Sequence, residues 1–221
     1  MVVFCRDTDI LIPANAEVYL PLLLSTLAAL WPAAPTPSFL AAQIEQETCV
    51  RLTSPKCWSP RAELKTSREN GIGFGQVTRA FKADGSVRFD KQSELVAAHQ
   101  SLKGWTWDTR YNPEYQMRAL VELDRSLFKS VSCAASTADR IKLALSGYNG
   151  GAGGVKQDQL LCRNTPGCDP CAWDGNVEIR STKSRVKWQG YGQSAYDINR
   201  EYVRNIWTVR RAKYIPLMET S

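Results

Sequence analysis

The sequence predicts a mainly α-helical fold, on three observations. Apolar residues recur at helical spacing in six separate runs, and no internal repeat links them. Hydrophobic residues at 43% and charged residues at 23% lie near the globular average, which excludes a disordered or fibrous chain. A length of 221 residues suits one domain carrying a large insertion. Residues 1–221 therefore read as a single domain, with an irregular insertion at about 150–192.

The apolar run from Val18 to Ala34 is bracketed by Pro21 and Pro32, ten residues apart in clear span. A membrane-spanning helix needs about 20 apolar residues, so no integral membrane segment is expected. The first ten residues carry Arg6 against Asp7 and Asp9, unlike the positive start of a signal peptide. The run reads as a buried helix over Leu20–Trp31, with Pro21 in its first turn and Pro32 as its stop. An export-related segment is the other reading. Pro35–Thr36–Pro37 forms a stiff link, and Ser38 suits the N-cap of a second helix running to about Thr48.

From Cys49 to Phe81 turn signals dominate: Pro55, Pro60 and the glycines of ENGIGFGQ. Helical periodicity returns over Ser93–Leu102, Glu114–Val131 and Thr137–Tyr148, and Gly150, Gly151, Gly153 and Gly154 end the last of these. A polar stretch then extends to about Gly192. A final helix fits Tyr196–Thr208, with Ile198, Tyr202, Val203, Ile206 and Trp207 in register. A loop as long as 150–192 usually serves function or carries its own staples. Cys162, Cys168 and Cys171 fall within it.

Composition narrows the chemistry. His99 is the one histidine, so any mechanism or metal site needing two is excluded, and a serine–histidine triad would rest on His99 alone. The 22 acidic residues leave a carboxylate mechanism open. The net charge of +6 favours polyanions. The basic residues are scattered, however, and no nucleic-acid motif appears, so no nucleic-acid partner is expected. Seven cysteines are many for a cytosolic protein and fit an oxidising space. Cys49 and Cys57 are close enough to staple one loop. The CxxC at 168–171 has a third Cys upstream but no fourth ligand, which favours disulfides or buried thiols over a metal. The odd count leaves at least one thiol free or paired between chains. No metal and no cofactor are expected.

One carboxylate stands out. Leu40, Ile44 and Glu47 are spaced i, i+4, i+7 and share a helix face, whereas Glu45 is turned away from Glu47 by roughly 200°. A carboxyl among apolar groups resists ionisation, which a glycosidase's general acid requires. On this pattern alone, the plainer reading prevails, in which Glu47 caps the stripe and reaches solvent.

Further motifs extend the pattern. The second helix ends in Gln46–Glu47–Thr48. A glycine-rich element follows as Gly73–Phe74–Gly75–Gln76. A later helix ends in Gly147–Tyr148–Asn149–Gly150–Gly151, and the closing helix carries Glu201–Tyr202–Val203. In this order and spacing, over residues 38–207, the set resembles the lytic transglycosylase and goose-type lysozyme superfamily. The resemblance implies a mainly α, lysozyme-like α+β fold. A helical bundle would hold a small β-hairpin beside a substrate cleft, with no separate cell-wall-binding module. It matches Glu47 to the catalytic acid, Gln76 to the hairpin amide that supports the site, and Tyr148 and Asn149 to the pair lining the cleft. Tyr202 matches an aromatic residue of the closing helix. Ordinary hairpin or helix-end bonding is the alternative for Gln76 and Asn149, and core packing for Tyr202. Gly147 stands where Ala is usual, and 156–192 has no counterpart.

The implied activity is cleavage of the β-1,4 bond between N-acetylmuramic acid and N-acetylglucosamine in peptidoglycan, by a monomer. A lytic transglycosylase needs one acid and leaves a 1,6-anhydro product. A hydrolase needs a second carboxylate about 6.5–9.5 Å from the acid to activate water. Glu69, just before the hairpin glycines, is the candidate for that role or else a loop charge; Glu63 and Asp90 are weaker ones. Trp58, Trp105, Trp107, Trp173 and Trp188 lie in expected loops or helix ends and offer flat faces for sugars or packing, whereas Trp31 and Trp207 read as core. With no clear signal peptide, the expectation is a bacteriophage endolysin or virion-associated muralytic enzyme. It would be made in a host cytoplasm and act in the periplasm or cell wall. A non-catalytic wall-binding virion protein is the alternative of another class.

Overall fold

The computed structural model describes residues 11–187 and 192–219, so Cys5 and Trp188 lie outside the described residues. Two helices open the described residues. Helix α1 spans Ala14–Leu30 and α2 spans Ser38–Thr48. Because α1 starts at Ala14, Pro21 lies inside it and not in its first turn. Proline leaves a helical carbonyl four residues back without its donor. Here that carbonyl belongs to exposed Glu17, where water can take the donor's place.

The cap of α2 also differs from expectation. Pro37 occupies the cap position, and Ser38 is the first helical residue. Its backbone N–H donates to Glu219 Oε1 at 3.2 Å, and its hydroxyl is bonded to the same carboxylate. Arg211 Nε donates to the Ser38 hydroxyl at 2.9 Å. An acid far along the chain thus satisfies an orphan donor where helix polarity favours negative charge. Every residue of α2 from Ser38 to Glu45 is buried.

An antiparallel sheet follows, ordered β1 (Glu63–Lys65), β2 (Glu69–Ile72), β3 (Val77–Phe81) and β4 (Val87–Asp90). The expected hairpin is its central pair, β2–β3. The fourth strand is added by a turn at Asp84–Gly85, where Gly85 takes φ +82° and Asp84 Oδ1 accepts from the Ser86 N–H at 2.9 Å. Asp-Gly is a favoured hairpin dipeptide.

Helix α3 spans Lys91–Ala98 and is capped by Asp90, whose side chain accepts from the Ser93 N–H. It stops at His99, and a separate short turn covers Gln100–Leu102, so the run expected over Ser93–Leu102 is broken. His99 Nδ1 lies 3.3 Å from Glu122 Oε2. Helix α4 (Pro113–Ser130) has Asn112 as cap and Pro113 at its first position, an arrangement suited to helix starts. Helix α5 spans Thr137–Gly150, capped by Ser136.

The stretch 150–192, expected to be irregular, begins with a regular helix, α6 (Ala152–Arg163). Gly153 and Gly154 weaken its helical signal, but Gly151 at φ +80° starts it anew and buried Val155, Asp158, Gln159 and Cys162 anchor it. The remainder is stapled. Disulfides join Cys133 to Cys171 and Cys162 to Cys168, and a third joins Cys49 to Cys57. Fully buried Asp158 adds polar staples, accepting from Lys183 Nζ and Arg200 Nη2 at 3.0 Å each. Helix α7 (Ala195–Arg204) opens with a capping box of Ser194 and Asp197. A widened turn over Asn205–Arg210, a tight turn over Arg211–Lys213 and the short α8 (Ile215–Met218) complete the described chain.

The main core gathers apolar faces of α1, α2, α4, α5 and α7, and a smaller one under the sheet holds Ile72, Val77, Leu95, Leu102, Trp105 and Ala119. Of the tryptophans suggested as sugar platforms, Trp58, Trp105 and Trp173 are buried. Trp107 is covered by the Arg79 guanidinium 3.8 Å above its ring. Long loops here fold over aromatic rings instead of presenting them. Trp31 is buried as expected, and Trp207 is half-buried against the core. Among the described residues no helix is long and apolar enough to cross a membrane.

Glu45 does face away from Glu47, but into protein. It is fully buried and accepts from Arg210 Nη1 (3.0 Å), Lys213 Nζ (2.9 Å) and Tyr214 OH (2.6 Å). Removing one side of a buried ion pair costs about 3–5 kcal/mol. Glu45→Ala should destabilise the protein by about 3 kcal/mol, the lower end of that range, because both cations keep some solvent. Urea unfolding measures this, and a loss below about 1 kcal/mol would show that the clamp contributes no more than a surface pair.

Candidate active site

Glu47 lies in the last turn of α2, whose end is pinned on several sides. Thr48 Oγ1 donates to the Ile44 carbonyl at 2.6 Å and accepts from the Trp58 N–H at 2.9 Å, and the Cys49–Cys57 disulfide closes the loop between. The helix end therefore cannot rotate freely, and the Glu47 side chain is held toward an open cleft of about 790 Å³.

Tyr202 of α7 donates its hydroxyl to Glu47 Oε1 at 2.6 Å. Its ring stacks on Tyr148 of α5, with centroids 6.3 Å apart and planes 10° apart. Tyr148 in turn donates to the Gly75 carbonyl at 2.7 Å. A bonded path thus runs from the acid through α7 and α5 to the β2–β3 turn. Gly75 permits it, since a Cβ there would come within 2.4 Å of the Tyr148 hydroxyl.

The turn itself is fixed by a residue the sequence did not reveal. Gln116 of α4 accepts from the Phe74 N–H at 3.1 Å and donates to the carbonyls of Pro60 (2.8 Å) and Arg110 (2.7 Å). Gly73, at φ +68°, leaves room for that amide; a Cβ would sit 1.9 Å from its oxygen. A glutamine inside a helical run carries no local signal of this role.

Gln76 lines the cleft at a positive φ of 44°. Its amide nitrogen donates to the carbonyls of Ala62 (3.2 Å) and Gly73 (3.0 Å). The support it gives is to the hairpin turn; it makes no bond to Glu47. Asn149 is exposed at the cleft and accepts from Asn199 Nδ2 at 3.0 Å. Asn199, buried on α7, also bonds Ser146 and Arg200, and is a second positioning residue missed from sequence.

Glu69, on β2, also lines the cleft, and its carboxylate has no bonded partner among the described residues. Glu63 is engaged by the Tyr111 hydroxyl. Asp90 is committed to capping α3 and to Arg79, which donates to it at 2.9 Å. A second limb of about 620 Å³ shares Glu69, Gln76, Tyr148 and Asn149 with the first and continues to Arg88 and Lys91. The groove is thus extended, as a polymer would need. Among the described residues no tryptophan lines either limb, and no cluster of side chains could hold a metal.

No protein-family model and no curated protein matches the chain.

Burial pushes the Glu47 carboxyl up to about 7, and the Tyr202 hydrogen bond offsets only part of that rise. Burial, reinforced by the charge of Glu47, holds Tyr148 and Tyr202 well above the usual phenol range, so both stay protonated donors. At neutral pH the site thus offers one carboxyl able both to give and to take a proton.

The Tyr202 bond favours the charged form of Glu47. Tyr202→Phe keeps the ring stack but removes that bond, so the titration midpoint should rise above about 7. Carbon-13 NMR of the Glu47 carboxyl measures it, and a midpoint that fell would contradict the assignment. The folded value lies above the unfolded one of about 4.3. The stability linked to Glu47 is therefore complete below about 4.3 and declines as pH rises to about 7.

Proposed function

We propose that this protein cleaves the β-1,4 bond between N-acetylmuramic acid and N-acetylglucosamine in peptidoglycan, as a lytic transglycosylase of lysozyme-like fold. The observation that carries the reading is Glu47: one carboxyl, held protonated to about pH 7, on an extended groove beside two tyrosine donors. The ordered motifs around Glu47, Gln76, Tyr148–Asn149 and Tyr202 support it, because their side chains meet at this groove.

In this reading Glu47 gives its proton to the glycosidic oxygen as the bond to C1 breaks. The substrate's own acetamido group stabilises the cation that forms. The Glu47 carboxylate, held by Tyr202, then takes the proton of the C6 hydroxyl as that oxygen bonds to C1. The products are a 1,6-anhydro end and a free hydroxyl, with Glu47 reprotonated. Asn149, anchored by Asn199, is placed to bond an N-acetyl group.

A hydrolytic muramidase is the second reading, favoured by the unbonded Glu69 carboxylate in the same cleft. The three disulfides suit an enzyme that works in an oxidising space at the cell wall, as a phage endolysin or virion-associated enzyme does.

Glu47→Gln should lower the rate on purified peptidoglycan by about 10²–10⁴-fold, with the melting temperature retained. Mass spectrometry of wild-type digests should show anhydromuramic ends. Reducing ends would favour the hydrolase, with Glu69→Gln then inactive. A fully active Glu47→Gln protein would defeat both readings.

A further inference from the structure

The proposed reaction gives no role to the far end of the second groove limb. That limb shares Glu69 and Gln76 with the cleft and continues to Arg88, Phe89 and Lys91. These three residues belong to β4 and the start of α3, beyond the central hairpin. Glu69, Ala80 and Phe89 are direct cross-strand partners, so one face of the sheet leads from the cleft to Phe89. Two strand spacings, about 10 Å, separate its ends.

A bulge shapes the far end. Where β3 takes one step, from Ala80 to Phe81, β4 takes two, from Phe89 to Val87, and Arg88 is the extra residue. In an unbroken strand Arg88 and Phe89 would face opposite sides. Here both line the limb. Bulges next to active sites re-aim side chains in this way. Phe89 is 37% exposed, and the Lys91 ammonium lies 4.9 Å from its ring centroid. Lys91 pairs with exposed Glu94, three residues on, and such surface pairs hold their members weakly. Asp90 is taken by Arg79, and among the described residues Arg88 forms no salt bridge.

The charge of this end is one-sided. Among the described residues that line the limb, Glu69 at the cleft end is the one acid. The helical side offers Gly151 and Ala152, where α6 starts with no side-chain cap and no acid in its first turn. Two cations around a half-exposed phenyl ring suit carboxylates carried on short aliphatic arms. A limb of about 620 Å³ has room for a peptide, far more than one carboxyl group needs.

We propose that this limb binds the acidic peptide that branches from muramic acid. Arg88 and Lys91 pair with its carboxylates, and Phe89 packs against its aliphatic atoms. The inference rests on peptidoglycan being the substrate.

Soluble glycan strands that keep their peptides, and the same strands stripped of peptide by an amidase, test this in steady-state cleavage. Stripping leaves the lactyl carboxylate of muramic acid in place, so the comparison isolates the peptide. The ratio of kcat/KM on peptide-bearing strands to that on stripped strands should fall about tenfold in Arg88→Ala/Lys91→Ala, the scale of one charge-assisted hydrogen bond. The fall should come from KM and should disappear in about 1 M salt, which screens charges beyond about 3 Å. An unchanged ratio, including an equal loss on both strands, overturns the proposal and leaves the reading of Glu47 standing. If the double variant does not fold, Arg88→Gln alone is measured in the same way. If the wild type cleaves neither strand, the functional reading fails, and equilibrium binding of both strands then decides the subsite. A tenfold loss confined to peptide-bearing strands supports it, and any other result, including no binding, overturns it.

Discussion

The site depends on how helix α2 is gripped. Glu45 and Glu47 are two residues apart and point in opposite directions, and opposite environments receive them. Glu45 meets two cations and a phenol and is anchored. Glu47 meets a single phenol and no cation, and burial favours its proton. The first interaction fixes the helix so that the second can hold. Were α2 free to turn by a fraction of its period, the anchored acid and the cleft acid would exchange surroundings.

The same economy appears across the cleft. The β2–β3 turn is aimed by Gln116 from α4 and met by Tyr148 from α5, and both contacts need glycine at the turn. The acid and the opposite wall are therefore not independent: Tyr202 stacks on Tyr148, and a shift in either helix would be felt at both. Rigid side-chain chains of this kind hold a reacting geometry more closely than a loop alone could.

Local signals made much of this legible. The run Ser38–Thr48 is helical to the residue, and α4 and α5 lie within two residues of their expected bounds, because caps and apolar spacing act over a few positions. Glu47 stood out from its stripe for the same reason. Illegible features depended on distant partners. Ser38 looked like a cap, yet Glu219 supplies the acceptor. Loop tryptophans looked exposed, yet the loops fold over them. Gln43, Gln116 and Asp124 are polar residues inside helical runs, and sequence gives no sign that such residues point inward. One miss had a local cue, since Asp84–Gly85 marked the turn to the extra strand; α6 had none, because its glycines weaken the helical signal and two of its four buried residues, Asp158 and Gln159, are polar.

The grip on α2 comes from far along the chain. Arg210, Lys213, Tyr214 and Glu219 all follow Glu47 by more than 160 residues. During synthesis the acid therefore leaves the ribosome long before the groups that orient it. A nascent or prematurely terminated chain that stops at Arg204 carries Glu47, Tyr202 and the Cys49–Cys57 loop, but lacks Arg210, Lys213, Tyr214 and Glu219, which grip the helix along its length. The anchor of Glu45 and the partner of the Ser38 N–H form only after the segment that closes over α2 has been made.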